Sequence, residues 1–137
     1  MKTVYIAHPL MGTTDKAKAL GYGNPEANVE RYLRFCAWAS NNGYAVISWV
    51  HHYLMHTMGL TRGGAEFYLS RDFRLMDGAD ELWVAGNPEA SSGTVDEIQY
   101  GEDNGIPIIS QDEWMDFAWM PDPESPLPGG LHTIKTA

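Results

Sequence analysis

The segment Ser91-Ser92-Gly93-Thr94-Val95-Asp96-Glu97-Ile98 joins small hydroxyl residues, a glycine and a carboxylate at the start of an apolar-periodic run. Placed at a helix N-terminus, Ser91, Ser92, Gly93 and Thr94 would offer free backbone N–H groups and hydroxyls. That setting suits a phosphate or a sugar hydroxyl. Glu97 falls in the first turn of the expected helix, where the dipole favours its ionised form. An ionised, oriented carboxylate can act as a nucleophile. The same spacing also reads as a capping box, Thr94-x-x-Glu97, in which Glu97 would only close on a backbone N–H. Spacing leaves both readings open.

Asp72 is the second carboxylate of interest. It stands at mid-helix in Arg71-Asp72-Phe73-Arg74, although Asp is a poor helix former. It could serve as a buried acid, or it could sit on a solvated face paired with Arg71 or Arg74. Asp80, just before an apolar run, reads as a structural cap. His51-His52, with His56 nearby, invites a metal reading, but neighbouring side chains in a strand point to opposite faces and no Cys or carboxylate cluster completes a site. No metal is therefore expected, and His51 is instead placed beside Trp49 in the wall of a ligand cleft. Gly21-Tyr22-Gly23 lies too far beyond the first strand to be a dinucleotide fingerprint, and no Walker A sequence is present.

These residues need elements to hold them. Val4 to Ala7 reads as a buried strand ending at His8-Pro9, and 10–23 as a glycine-bearing loop. Asn24 as N-cap and Pro25 at the first helical position open a helix with Val29, Tyr32, Leu33, Cys36, Ala37 and Ser40 at helical spacing. Gly43 stops it. Tyr44 to Val50 reads as a second strand, and His51 to Gly64 as an irregular functional loop. A helix over 65–77, a strand over 81–85, a helix over 94–104 and a strand over 106–109 follow. A short helix over 111–119 closes the expected domain, and a Pro- and Gly-rich arm runs from 121 to 137. Strands alternating with helices imply an α/β fold. The expected form is a flavodoxin- or Rossmann-like doubly wound, mainly parallel sheet of four or five strands with helices on both faces. Ligands of such sheets bind at the carboxyl ends of the strands. Chemistry is therefore expected in the loops after Ala7, Val50, Ala85 and Ile109.

The chain has 137 residues, which suits one domain over 1–120 followed by the arm. Nine Lys+Arg against 18 Asp+Glu give a net charge of −9. That balance argues against a nucleic acid polymer as partner, because such binding needs clustered cations. A single nucleotide remains compatible. Cys36 is the one cysteine, so no disulfide framework or Cys-based zinc site is expected. No apolar run reaches the length of a membrane span, and the N-terminus lacks a signal-peptide core. The expectation is a cytoplasmic protein with no membrane partner.

Tyr5 in Val-Tyr-Ile-Ala-His-Pro, Asn28 to Arg31 early in the first long helix, Asp72, Asp80, and Gly93-Thr94-x-x-Glu97 form an ordered set. As a set they resemble the nucleoside 2-deoxyribosyltransferase superfamily, most closely its short bacterial and phage members. The resemblance covers roughly 2–110. It implies that Glu97 attacks the anomeric carbon and forms a covalent glycosyl-enzyme. It also implies that Asp72 contacts the base and helps protonate it, and that Tyr5 orients Glu97. No cofactor is implied. The physics of these roles is sound: cleaving an N-glycosidic bond creates oxocarbenium character that a carboxylate stabilises or captures, and the departing base needs a proton.

The sequence departs from that family where an acidic residue should precede the Gly-x-x-x-Glu stretch; Ser91 and Ser92 stand there, which favours a 5′-phosphate. His8, Pro9, Trp49, His51, Ser91, Ser92, Gly93 and Thr94 are the expected substrate-binding residues. The expected function is cleavage or transfer at the N-glycosidic bond of a nucleoside or nucleoside 5′-monophosphate. The alternative is a non-catalytic module binding a nucleotide or an ADP-ribose-like ligand. Five Trp and seven Met, together with the Pro-rich arm, exceed what one small core needs, and relatives complete their sites from a neighbouring subunit. A homodimer or higher homo-oligomer is expected.

Overall fold

The computed structural model describes residues 1–115, so the expected arm over 121–137 and positions 116–119 of the expected last helix lie outside the described residues. Four strands form one parallel sheet: β1 (Thr3–Ala7), β2 (Ala45–Ile47), β3 (Glu81–Val84) and β4 (Ile108–Ile109), in the order β2-β1-β3-β4. β1 is central, with Tyr5 opposite Ile47 on one side and Leu82 on the other. The chain first winds outward to β2 and then crosses back to β3, so the winding reverses at β1. Ligand crevices of open α/β sheets form at the carboxyl end of such a reversal.

Strand alternation sends Ile6 and Trp83 to one face, Tyr5 and Leu82 to the other. On the first face lie α2 (Pro25–Asn41) and α6 (Gln111–Met115), where Trp38, Trp83 and Trp114 pack with ring centroids 4.8–6.1 Å apart. On the second lie α4 (Ala65–Met76) and α5 (Ser92–Asp103), joined by Phe73 stacked on Tyr100 at 4.3 Å. α5 comes close to the sheet at Gly101, where a Cβ would stand 3.0 Å from Cδ2 of Leu82. The doubly wound α/β fold is thus present, with helices on both faces. No helix among the described residues is long and apolar enough to cross a membrane.

Several local expectations change. Asn24 does cap α2, its side chain accepting from the N–H groups of Glu26 and Ala27. The buried stripe, however, is Asn28, Tyr32, Phe35, Trp38 and Ala39, whereas Ala37 and Ser40 are exposed. Phe35 and Trp38 join Tyr32 in the core, rotating the buried face away from Ala37 and Ser40. The expected loop over 10–23 contains a short helix, α1 (Asp15–Ala19), because the Thr14 hydroxyl caps the N–H of Ala17 at 3.0 Å. Strand β2 ends at Ile47, and α3 (Val50–Thr57) occupies half of the expected irregular loop. A Ser48 hydroxyl accepting from the N–H of Val50 marks that turn into the helix. His51 and His52 therefore sit on a helix, not on a strand. Asp80 is structural as expected: its carboxylate accepts from the N–H of Thr3 at 2.8 Å and fixes the start of β1.

Candidate active site

α5 begins earlier than its sequence suggested. Ser91 is the N-cap, and its hydroxyl accepts the N–H of Thr94 at 3.2 Å. That bond takes the place of the Thr94-x-x-Glu97 capping box and moves Glu97 into the second turn. There its side chain turns toward the sheet rather than back along the helix. The Tyr5 hydroxyl donates a hydrogen bond to Oε2 of Glu97. Tyr5 is fully buried in β1, and Glu97 is only 6% exposed.

The setting reverses the expected protonation of Glu97. Burial pushes its carboxyl up to about 8, with the negative charges of Asp72 and Asp96 adding to the rise and the Tyr5 hydrogen bond opposing it. Removing a carboxylate from water outweighs the helix dipole, which fades beyond the first turn. Tyr5 is held well above the usual phenol range by the same burial and by Glu97, so it remains a donor.

Asp72 faces inward from α4, with neither Arg71 nor Arg74 as its partner. Arg71 donates to the carbonyl of Phe67 and lies over that ring, while Arg74 reaches Asp77 at 3.6 Å. The partner of Asp72 is His52 on α3, whose Nδ1 lies 2.6 Å from Oδ1. Burial raises the Asp72 carboxyl to about 7, against a small lowering by His51, and burial also lowers His52. Both partners are pushed toward their neutral forms. The negative charge of Asp72 in turn raises Glu97, so the two carboxyls are electrostatic neighbours.

Glu97, Asp72 and His52 open into a cavity of about 480 Å³ at the carboxyl edge of β1 and β3. Its floor includes His8, after β1. One end is built by Ser91, Ser92, Gly93 and Thr94 at the start of α5, where the N–H groups of Ser92 and Gly93 are left over by the helix. The opposite wall is aromatic, carrying Trp49, Tyr53, His56 and Tyr68. Trp49 is fixed by its indole N–H donating to the carbonyl of Ile6 at 3.0 Å and by stacking on Tyr32. His8 gives its Nδ1–H to the carbonyl of Pro9 at 2.7 Å, and burial lowers it to about 4, so it stays neutral. Two buried polar atoms of the lining, Nε2 of His8 and Oγ1 of Thr94, have no protein partner.

Of the residues singled out by sequence, the structure brings Glu97, Asp72, His8, Trp49, Ser91, Ser92, Gly93 and Thr94 to this cavity, with Tyr5 beneath Glu97. Two do not belong. His51 is exposed and does not line the cavity, because the helical turn at Val50 gives that place to His52. Pro9 is buried behind the lining and contributes only its carbonyl to His8. Sequence reasoning missed His52, His56 and Tyr68. The spacing of His52 and His56, four apart, was the available signal, since it puts both on one face once the segment is helical.

The family model described as "Domain of unknown function (DUF7768)" matches residues 2–111. No curated protein and no solved structure matches the chain.

Proposed function

The chain belongs to the DUF7768 family, whose function is unknown, and we propose that its cleft cleaves or transfers at the N-glycosidic bond of a nucleoside or nucleoside 5′-monophosphate. One observation carries the reading. A buried glutamate, free of any capping duty and held by a buried tyrosine, shares an open cleft with a second carboxyl whose acidity is shifted by burial to about 7. Isolated buried carboxyls destabilise a fold, and such pairs gather where chemistry needs them.

In this reading the Glu97 carboxylate attacks the anomeric carbon, the bonding electrons of the C–N bond leave with the base, and Asp72 supplies the proton the base takes up. Burial disfavours the ionised form of both carboxyls. Positive charge growing on the sugar carbon favours the ionised form of Glu97, and the Tyr5 hydrogen bond does the same. The Asp72 proton lies in the acidity range expected of a general acid at neutral pH. Water then releases the sugar, or a second base receives it. The N-terminal end of α5 is suited to a 5′-phosphate and the aromatic wall to a base. The protein acts as a homodimer or higher homo-oligomer in this proposal; Leu54, Met58 and Leu60 supply exposed apolar surface.

The test is incubation of the purified chain with a panel of nucleosides and their 5′-monophosphates, followed by chromatography for free base. Release of base by wild type and not by Glu97→Gln supports the proposal. Tight binding of a nucleotide without release would favour a non-catalytic binding module.

A further inference from the structure

We infer that His52 is a positioning residue for the reaction proposed above: by donating its Nδ1–H to Oδ1 of Asp72, it reserves Oδ2 for the proton delivered to the departing base. This inference rests on the glycosidic reading. Its observations are geometric. His52 and Asp72 come from different helices, 20 residues apart, and meet at 2.6 Å inside the cavity wall. His52 is 7% exposed, so its ring is fixed by packing rather than by solvent. Its ring neighbours are His51 at 4.1 Å and Tyr68 at 5.7 Å.

A carboxyl carries its proton on one oxygen at a time. With Oδ1 accepting from an imidazole N–H, the remaining proton belongs on Oδ2. Oδ2 of Asp72 has no hydrogen-bond partner among the described residues, and it is not among the sealed polar atoms, so it is open to the cavity. The charges facing the pair are consistent with a neutral imidazole donor. Arg71 disfavours a second proton on His52, and His51 lies beside it with its own acidity raised by burial and by His52.

The step balances. As the C–N bond breaks and its electrons move onto the base, the Oδ2 proton passes to a ring nitrogen or carbonyl oxygen of that base. Asp72 becomes a carboxylate that still accepts from Nδ1–H. When water attacks the glycosyl-Glu97 ester, Oδ2 takes the proton that the water loses, and the starting state returns. His52 keeps its proton throughout.

The test has two arms on the full chain. In the first, nitrogen-15 NMR of histidine-labelled protein at pH 6.5, below the Asp72 value of about 7, reads the tautomer of His52 while Asp72 holds its proton, with a His52→Asn spectrum for assignment. The expected result is a protonated Nδ1 and a bare Nε2; the Nε2–H tautomer would overturn the inference whether or not the protein is active. In the second arm, kinetics use whichever substrate the panel reveals. His52→Leu should lower kcat about 10- to 100-fold with KM held within about threefold. His52→Asn, whose amide N–H can replace Nδ1–H, should recover most of that loss. Thermal melts confirm that both variants fold. Equal loss in the two variants, or no loss in His52→Leu, would overturn the positioning role. A wild type that releases no base from any substrate would overturn the glycosidic reading and this inference with it. An active wild type with the wrong tautomer overturns the inference alone.

Discussion

Replacing Glu97 by Gln should separate the cost of the carboxyl from its use. In the folded chain burial raises this group from 4.5 to about 8. A carboxyl with a raised folded value holds its proton more tightly in the native state than in the unfolded one. Its stabilising contribution is therefore complete below the unfolded value, near pH 4.5. It is lost as pH rises through the window up to about 8. The full difference corresponds to about 5 kcal/mol, an upper limit because water entry and relaxation reduce it. The amide of Glu97→Gln is neutral throughout, and its carbonyl can still accept from Tyr5. At pH 5 the variant should match the wild type. At pH 9 it should be the more stable by several kcal/mol, and even about 2 kcal/mol would separate the melting temperatures by roughly 8 °C in a domain of this size. Urea titrations and thermal melts at pH 5, 7 and 9 read this directly, while base release should be lost at every pH. Parallel pH–stability curves for the two proteins would refute the argument that Glu97 is a desolvated carboxyl retained for chemistry.

Three further outcomes are expected. Tyr5→Phe removes the hydrogen bond that favours ionised Glu97, so the acid limb of the pH–rate profile should move to higher pH; losing a charge-assisted bond of about 1.5–3 kcal/mol should slow base release roughly 10- to 100-fold. An unmoved acid limb would contradict that role. If the start of α5 receives a 5′-phosphate, two such bonds should favour a monophosphate over its nucleoside by about 100-fold or more in affinity, and Ser92→Asp should erase the preference by like-charge repulsion; calorimetry on matched pairs decides it. Light scattering at micromolar concentration should give a mass of at least twice 15.3 kDa, and a monomer would refute self-association.

Much of the fold was legible because the relevant signals are local. The apolar run at Val4–Ala7, the Asn24-Pro25 helix start and the alternation of strands with helices each depend on neighbours in sequence. All three stand in the structure. The strand-to-helix switch at Ser48–Val50 was not legible, because Val50 to Tyr53 suits either state and a single Ser48 hydrogen bond tips it. That one turn exchanged His51 for His52 in the cleft. The start of α5 was misjudged in the same way: Ser91 and Thr94 are both good N-caps, and the choice between them set the direction of Glu97.

By itself the sequence determined the α/β class, the approximate elements and the residue types able to do chemistry, since periodicity, caps and composition are written along the chain. Only the tertiary structure decided that Tyr5 and Glu97, 92 residues apart, share a hydrogen bond, and that His52 and Asp72 do likewise across two helices. It also decided protonation. A carboxyl's acidity follows from how much water the surrounding elements remove and which charges they bring near, and neither quantity exists until the sheet and helices have closed around it.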